Sequence, residues 1–231
     1  MDEIWRETFL FWSETEEYQK KVKEVKKNVQ MALNRFRKPY VSFSGGKDST
    51  VMLHLVLEQK PDVMVFHWDY GRYFIPREIE REFLNNAQKI GARNIVVKSS
   101  SLYEKKGRGA QNVLGRVMIG LVVPQLKKEG YDGCFVGLRA EEASRRNART
   151  KNLFESGIIT STFPIRHLTW KDVWAYIVSN NLPYPSVYDK YAKVLGWDKV
   201  RLVTFFDPEF DKFGSPNIDG ILMSEFRNVK R

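Results

Sequence analysis

Residues Ser44-Gly45-Gly46-Lys47-Asp48-Ser49 form a glycine-containing turn between an apolar run, residues 41–43, and an amphipathic stretch that starts at Thr50. This order predicts a strand, a tight turn and a helix. Two adjacent glycines let the backbone turn sharply and approach a ligand without an obstructing Cβ atom. The start of the following helix offers unpaired N–H groups and the positive end of the helix dipole, and Lys47 adds a full positive charge. The turn is therefore predicted to hold a phosphate chain.

The composition is that of a folded protein with an anionic partner. The chain has 231 residues, 42% hydrophobic content and 13% aromatic residues, and 38 Lys+Arg against 28 Asp+Glu give a net charge of +10. Charge alone does not distinguish a nucleotide from an oxyanion or a nucleic acid. No apolar run approaches the roughly 18 residues that span a bilayer, and the charged N-terminus is unlike a signal peptide. We therefore expect a cytoplasmic protein with no membrane contact.

The single cysteine, Cys134, excludes an internal disulfide and a Cys-x-x-Cys redox pair. Its neighbours predict a buried strand, in which a thiol usually acts as a small inert hydrophobic group. We therefore expect a structural role for Cys134.

Beyond residue 39 the pattern alternates between strands and helices. Strands are predicted at 40–43, 63–67, 95–98, 133–138 and within 158–163, and helices at 47–59, 76–90, 112–129 and 169–180, the last with Thr169 as N-cap. Pro124 is expected to kink the third helix or end it early. The pattern predicts an α/β fold, with a doubly wound, mainly parallel five-stranded sheet and helices on both faces. Residues 1–38 are predicted as a helical extension, 39–190 as the nucleotide-binding domain and 191–231 as an irregular tail packed on it.

Ligands of such sheets bind outside the carboxyl ends of the strands, near the point where the strand order reverses. This rule places three segments along one edge of the sheet: the turn at 44–49, the turn after His67 and the segment that contains Arg139. We therefore expect the functional residues to come from these three segments.

The turn at 44–49 lacks the spacing of the Walker P-loop and of the Gly-x-Gly-x-x-Gly fingerprint. It resembles the PP-loop, Ser-Gly-Gly-x-Asp-Ser, of the ATP pyrophosphatase (adenine nucleotide α-hydrolase-like) superfamily. The resemblance implies that the loop holds the β,γ-pyrophosphate of ATP while a nucleophile attacks the α-phosphorus. It implies a pyrophosphate clamp at Lys47 and donors from Ser44, Gly45, Gly46 and Ser49. Asp48 is expected either to orient the loop or to help hold Mg²⁺.

A second segment, Gly137-Leu138-Arg139-Ala140-Glu141-Glu142-Ala143-Ser144-Arg145-Arg146, follows the fourth strand. It resembles the Gly-x-Arg-x-x-Glu/Gln element of the phosphoadenylyl-sulfate (PAPS) reductase family, and its spacing is closer to the version in the sulfate adenylyltransferase small subunit. The resemblance implies a catalytic role for Arg139 beside Lys47 and Asp48, and ligand contacts from Gly137, Arg139 and Arg145. Arginine engages sulfate or phosphate oxygens bidentately. For Arg145, Arg146 and Arg149 the alternative is a basic, solvent-exposed helix start.

Two further segments resemble the same family. Residues 66–74 are similar to its His-x-Asp-Thr-Gly stretch, with Tyr70 in place of threonine. Asp69 is expected to meet ribose or a metal, with helix or turn capping as the alternative. His67 and Trp68 are candidates for flanking adenine, with a core role for His67 as the alternative. Residues 163–174 resemble the Pro-Ile-x-x-Trp-x-x-x-Asp-[Val/Ile]-Trp region, which predicts a ligand-facing Arg166 and core positions for Trp170 and Trp174.

Reductases of this family carry a nucleophilic cysteine in a C-terminal Glu-Cys-Gly-type motif, but residues 217–231 contain none. Thiosulfonate chemistry needs a thiolate. We therefore expect an AMP-forming enzyme with ATP as its nucleotide, Mg²⁺ as its metal and sulfate or another small oxyanion as acceptor. The alternatives are a nucleic-acid-modifying enzyme, a non-catalytic nucleotide-binding subunit that needs a partner, and a sulfonucleotide reductase. We also expect a homodimer or an assembly with a partner subunit.

Overall fold

The fold is seen in a computed structural model, which describes residues 1–71, 75–100, 117–142 and 144–202. The strands are β1 (Pro39–Ser42), β2 (Met64–Asp69), β3 (Asn94–Ser99), β4 (Gly133–Val136), β5 (Phe154–Glu155) and β6 (Thr160–Thr162). The α-helices are α1 (Glu3–Glu14), α2 (Glu16–Arg35), α3 (Lys47–Leu57), α4 (Arg77–Ile90), α5 (Val123–Lys128), α6 (Ser144–Arg149), α7 (Trp170–Ser179) and α8 (Val187–Leu195).

The strands form one sheet in the order β3-β2-β1-β4-β6-β5, and all pairs are parallel except β5 with β6. The predicted α/β fold with a mainly parallel sheet is confirmed, but the described residues contain six strands instead of five. Strand β5 was not predicted, because two residues at a sheet edge are too short to show an alternating pattern. The strand order reverses between β1 and β4, so the crevice of the sheet opens there.

Alternate side chains of the strands enter two separate hydrophobic clusters. Val41, Val65 and Phe135 point to the face that is covered by α1, α2, α3, α4, α7 and α8. Tyr40 and Cys134 point to the opposite face, where the helical segment around Leu126 covers them. Because successive side chains of a strand point to opposite faces, this division is what a sheet buried on both sides requires. The prediction of helices on both faces is confirmed.

The helix predicted at 112–129 passes through its proline without a break. Residues 112–116 lie outside the described ranges, a π-helical turn spans Met118–Val122, and α5 follows directly with Pro124 in its first turn. Proline has no N–H and is tolerated in the first turn of an α-helix, where that group needs no partner within the helix. The early end predicted as one alternative is therefore wrong, and the predicted kink stays a prediction.

The carboxylate of Asp172, which is fully buried, joins both N-terminal helices to the sheet domain. It caps α7 together with Thr169 in a reciprocal capping box. It also accepts hydrogen bonds from Trp12 Nε1 of α1 at 2.8 Å and from Lys21 Nζ of α2 at 3.2 Å. The predicted N-cap at Thr169 is confirmed, and the helices of residues 1–38 are anchored to α7 by polar as well as apolar contacts.

The chain after α7 returns to the edge of the sheet where the crevice opens. Helix α8 crosses the predicted boundary at residue 190, and Tyr188 and Trp197 pack against the rings around Trp174, which is fully buried. The prediction that Trp170 and Trp174 are core residues is confirmed. The part of the tail at 203–231 lies outside the described residues.

Candidate functional site

The turn between β1 and α3 has the geometry that its two glycines allow. Gly45 has a φ of +80°, and a Cβ atom there would lie 2.2 Å from the ring of Phe83. Gly46 is the N-cap of α3, so the helix begins at Lys47. A side chain at position 45 would be strained by its backbone angle and by the clash with Phe83, and glycine avoids both.

The serine hydroxyls close the turn. Ser44 Oγ donates to Ser49 Oγ at 3.1 Å, and Ser49 Oγ donates to the Gly46 carbonyl at 2.8 Å. Among the described residues, no acceptor contacts the main-chain amides of Asp48 and Ser49 in the first turn of α3. Unpaired amides at a helix N-terminus favour an anion. The arrangement thus leaves two N–H donors of one short turn without an acceptor, whereas both hydroxyl protons are used inside the turn.

Lys47 is buried, with 2% of its surface exposed, and segments distant in sequence cover it. Its Nζ donates to the Val200 carbonyl at 3.1 Å and lies 3.4 Å from the Asp48 carboxylate. Its amide donates to the Tyr188 hydroxyl at 3.1 Å, and Leu202 lies beside Gly46. Burial lowers the pKa of Lys47, an effect that Asp48 opposes only in part. These covering residues were not predicted, because the sequence pattern beyond Pro183 is too weak to assign any structure there.

Arg139 joins the second motif to the turn. Its side chain is 1% exposed, and its Nε donates to Asp48 Oδ1 at 2.5 Å while its Nη1 donates to Glu141. A Cβ atom at Gly137 would lie 2.8 Å from the Asp48 carbonyl, so glycine there lets the two segments touch. The strand topology therefore brings together the two motifs that the sequence singled out.

The charges in this contact are mutually stabilising. Burial acts to lower the pKa of Arg139, but the carboxylates of Asp48, Glu142 and Glu141 outweigh it and raise the pKa. Burial acts to raise the pKa of Asp48, but Arg139 and Lys47 outweigh it and lower the pKa. The contact between Asp48 and Arg139 agrees with the loop-orienting alternative, which stays a prediction. A contact of Asp48 with Mg²⁺ stays a prediction, as does an oxyanion contact of Arg139.

Beyond the turn, the end of β2 carries two polar pairs, of which one is buried and the other is partly exposed. Asp69 accepts two hydrogen bonds from Arg77, at 2.8 and 3.0 Å, and one from the Gly71 amide at 2.7 Å. His67 contacts the Phe43 carbonyl at 2.8 Å and Glu80 at 2.5 Å. Both side chains thus have partners within the fold, which agrees with the capping and core alternatives. Contacts with ribose, a metal or adenine stay predictions.

The remaining arginines have separate surroundings. Arg146 pairs with Glu142 inside its own segment, and Arg149 pairs with Glu155 of β5 at 2.7 Å. Arg166 Nε donates to His167. The side chain of Arg145 lies outside the described part of the chain, so its predicted ligand contact stays a prediction.

Two other features bear on the chemistry. Cys134 is buried in β4, and burial raises the pKa of its thiol to about 12, which agrees with the structural role expected for it. Within the described residues, no cluster of three or more His, Cys, Asp or Glu side chains could hold a metal ion.

No helix in the described ranges combines the length and the apolar character needed to cross a membrane.

The doubly wound sheet, with a glycine turn and a helix start at its switch point, defines the class: an α/β protein with a glycine turn beside a buried arginine. The family model "Phosphoadenosine phosphosulfate reductase domain" matches residues 38–201, and the chain belongs to this family. The resemblance found in the sequence motifs is therefore confirmed.

Individual relatives carry two different names. The chain is 24% identical over 212 residues to adenosine 5'-phosphosulfate reductase of Bacillus mycoides, a match that covers 87% of each protein. It is 27% identical over 183 residues to sulfate adenylyltransferase subunit 2 of Mycolicibacterium vanbaalenii, covering 66% of this chain and 58% of that protein. PAPS reductase from Candida auris, solved as a phosphate complex, matches with a TM-score of 0.57 at 16% identity, over 73% of this chain and 85% of that chain. This last likeness concerns the fold.

Proposed function

We propose that the protein is an ATP-dependent enzyme that transfers the adenylyl group of ATP to a small oxyanion such as sulfate and releases pyrophosphate. The observation that carries the proposal is the joined pair of motifs: the Asp48 carboxylate links the turn of Lys47 to Arg139, at the switch point of the sheet. A site that splits ATP needs hydrogen-bond donors that stabilise the leaving pyrophosphate, and it needs a positively charged side chain nearby that binds the acceptor anion.

The turn suits the leaving group. The amides of Asp48 and Ser49 would hold the β- and γ-phosphates, with the dipole of α3 behind them. The hydroxyls of Ser44 and Ser49 would join them by exchanging their contacts within the turn for phosphate oxygens. An acceptor oxygen forms a bond to the α-phosphorus while the bond to the bridging oxygen breaks, and the electron pair leaves with pyrophosphate. Donors fixed before the reaction stabilise that charge without reorganisation. For Lys47 to reach the phosphates, its Nζ must exchange the Val200 carbonyl for a phosphate oxygen.

The turn could supply one carboxylate to Mg²⁺, so most ligands of the ion would come from the nucleotide phosphates and from water. Asp48 is the acidic residue of the turn, and one of its oxygens already accepts from Arg139. Mg²⁺ in phosphoryl-transfer sites usually has one or two carboxylates, substrate phosphates and several waters as ligands. The second oxygen of Asp48 would be the protein ligand, and the metal would neutralise charge on the phosphates.

The only cysteine in the chain argues against the reductase chemistry of some relatives. A thiol attacks as its thiolate, but Cys134 is buried in β4 with a pKa raised to about 12. Adenylyl transfer needs no thiolate. The relatives named as reductases and as sulfate adenylyltransferase subunits leave both chemistries within the family, and the state of Cys134 favours the second.

A second candidate is a nucleotide-binding subunit that becomes active only with a partner. The residues that cover Lys47 favour this candidate. Tyr188 accepts from the Lys47 amide and Val200 accepts from Lys47 Nζ, and a phosphate would need these same two donors. A relative named as a subunit fits the same idea. ATP binding by the isolated chain without turnover would support this candidate over the first.

The test is ATP–pyrophosphate exchange with labelled pyrophosphate, Mg²⁺ and a panel of sulfate, selenate and phosphate. We expect exchange by the wild type and a loss of at least about a hundredfold in Lys47→Met, because the leaving group loses a charged donor. Lys26→Met is the matched control, since Lys26 is half-exposed and pairs with Glu58 away from the turn. Wild-type protein that neither exchanges pyrophosphate nor binds ATP would refute the proposal.

A further inference from the structure

A buried histidine–carboxylate pair lies behind the turn, and the proposed reaction does not use it. His67, at the end of β2, is 1% exposed, and Glu80, on the inner face of α4, is 5% exposed. His67 Nε2 is 2.5 Å from Glu80 Oε1, and His67 Nδ1 is 2.8 Å from the Phe43 carbonyl. Buried ionisable groups are costly, so a pair placed here is expected to have a role.

The contacts fix how many protons the pair holds. A carbonyl oxygen only accepts, so His67 Nδ1 must carry a proton toward Phe43. The contact between His67 Nε2 and Glu80 needs a second proton, carried by either group. The pair therefore holds a shared proton and is neutral overall. When that proton is lost, one negative charge remains buried behind the turn.

The shared proton is held more firmly than on an isolated imidazole. Burial acts to lower the pKa of His67, but the hydrogen bond and charge of Glu80, the Phe43 carbonyl and the charge of Asp69 outweigh it, and the pKa lies above its usual 6.5. Asp69 is itself paired with Arg77 of α4. These are the charged groups that face the pair from β2 and α4. The neutral, protonated form is therefore complete below pH 6.5 and is lost as pH rises through the raised pKa.

The pair touches the turn where β1 leads into it. Phe43 directly precedes Ser44; its amide donates to the Phe66 carbonyl of β2 at 2.8 Å, and its own carbonyl is held by His67. On the same helix as Glu80, Phe83 lies where a side chain on Gly45 would be. Helix α4 thus supports the turn by a polar contact through His67 and an apolar contact through Phe83.

We propose that His67 is a positioning residue: with its shared proton held by Glu80, it fixes the Phe43 carbonyl and so sets the turn at 44–49 for binding the phosphates of a nucleoside triphosphate. Loss of the proton weakens binding in two ways. The one proton that remains on the ring moves to the contact with Glu80, because a charge-assisted hydrogen bond is stronger than one to a neutral carbonyl, so Nδ1 no longer donates to Phe43 and the start of the turn is released. The lost proton also leaves a negative charge buried next to the turn, where it opposes the binding of phosphate. The inference deepens the proposed function, on which its nucleotide readout rests.

The first experiment follows the turn without any ligand. The amide resonances of Gly45 and Gly46 are recorded by NMR from pH 6 to pH 9.5, together with the imidazole of His67. We expect them to shift with the midpoint of His67 in the wild type and in the control His54→Asn, whose histidine on α3 contacts Tyr176 instead. In His67→Asn, which can still donate to Phe43, the shifts with that midpoint disappear. Glycine amides that ignore the titration of His67 overturn the proposal, whether or not ATP binds.

The second experiment measures the Kd for ATP with Mg²⁺ by calorimetry over the same pH range. We expect wild-type affinity to fall about tenfold as His67 loses its proton, the size expected for one lost hydrogen bond. His67→Asn should give a flat profile, and Glu80→Gln should move the midpoint to lower pH because the carboxylate that raises it is gone. A His67→Asn profile identical to that of the wild type overturns the inference. Wild-type protein that binds no ATP at any pH overturns the proposed function, and the NMR result then decides the inference alone.

Discussion

The turn before α3 and the segment after β4 each bring one buried cation to the same edge of the sheet, but they neutralise it differently. Arg139 donates directly to the carboxylates of Asp48 and Glu141. Lys47 donates to the neutral carbonyl of Val200, and the Asp48 carboxylate is 3.4 Å away. The pKa of Arg139 is raised and that of Lys47 is lowered. The charge of the arginine is balanced by two carboxylates in direct contact, whereas the lysine has one carboxylate at a longer distance.

Removing the arginine is expected to have the largest effect on stability. Arg139→Ala would leave the buried carboxylate of Asp48 without its main partner, at a cost of about 3–5 kcal/mol in the free energy of unfolding. Urea denaturation at pH 7 measures this cost. The control is Arg149→Ala, which breaks a half-exposed pair with Glu155 and should cost no more than about 1 kcal/mol. Equal costs in the two variants would show that Asp48 does not depend on Arg139.

Adding a methyl group to Gly45 tests how closely the turn that precedes Lys47 packs against Phe83 of α4. Gly45→Ala places a Cβ atom within the ring of Phe83 at a positive φ, for which we expect about 1–2 kcal/mol of backbone strain plus about 1–3 kcal/mol of overpacking. Gly91→Ala is the matched control, because Gly91 has a φ of +111° and a Cβ atom added there would have nothing within 4 Å. The difference between the two in urea denaturation isolates the contact with Phe83. Equal losses of unfolding free energy in the two variants would mean that Phe83 moves aside freely and that α4 does not support the turn.

Replacing the lysine should change stability least, and in a pH-dependent way. Because the pKa of Lys47 is lowered by folding, the unfolded chain binds more protons between that pKa and 10.5. The wild type should therefore gain stability as pH rises toward 10.5, and Lys47→Met should lack this gain. At pH 7 the two proteins should differ by about 1 kcal/mol, because methionine of similar volume removes the cost of burying a charge while Arg139 still pairs with Asp48. Urea midpoints from pH 7 to pH 10 give the comparison, with Lys26→Met as the exposed control. Parallel curves for wild type and Lys47→Met would contradict a lowered pKa.

The features of the candidate site that could be predicted are those that depend on residues close together in the sequence. The glycine turn, the start of α3 at Lys47 and the alternation of strands follow from residue type and spacing, and topology then brings Arg139 to the turn. The cover over Lys47 could not be predicted, because its contacts span 141 residues to Tyr188 and 153 residues to Val200. The second of these uses a main-chain carbonyl, which every residue possesses and which leaves no signal in the sequence.

The polar partners were harder still to predict. Two roles were open for Asp48 and for Asp69 from the sequence, and only the fold shows Arg139 and Arg77 as their partners. The contact of Glu80 with His67 was not predicted, because a glutamate among the charged residues of an amphipathic helix gives no sign that it faces inward. Burial of a charged residue depends on what the rest of the chain places against it, and a single sequence does not contain that information locally.

The capping carboxylate of α7 ties the region shared with the family model to the two helices that precede it. The family match begins at residue 38, but Asp172 lies within that match and accepts hydrogen bonds from Trp12 and Lys21, which precede it. A fragment cut to the shared region would leave a buried anion without its indole and ammonium donors, and would strip α7 of the helix packed on it. The family model therefore begins at a point in the chain that the buried contacts of Asp172 cross.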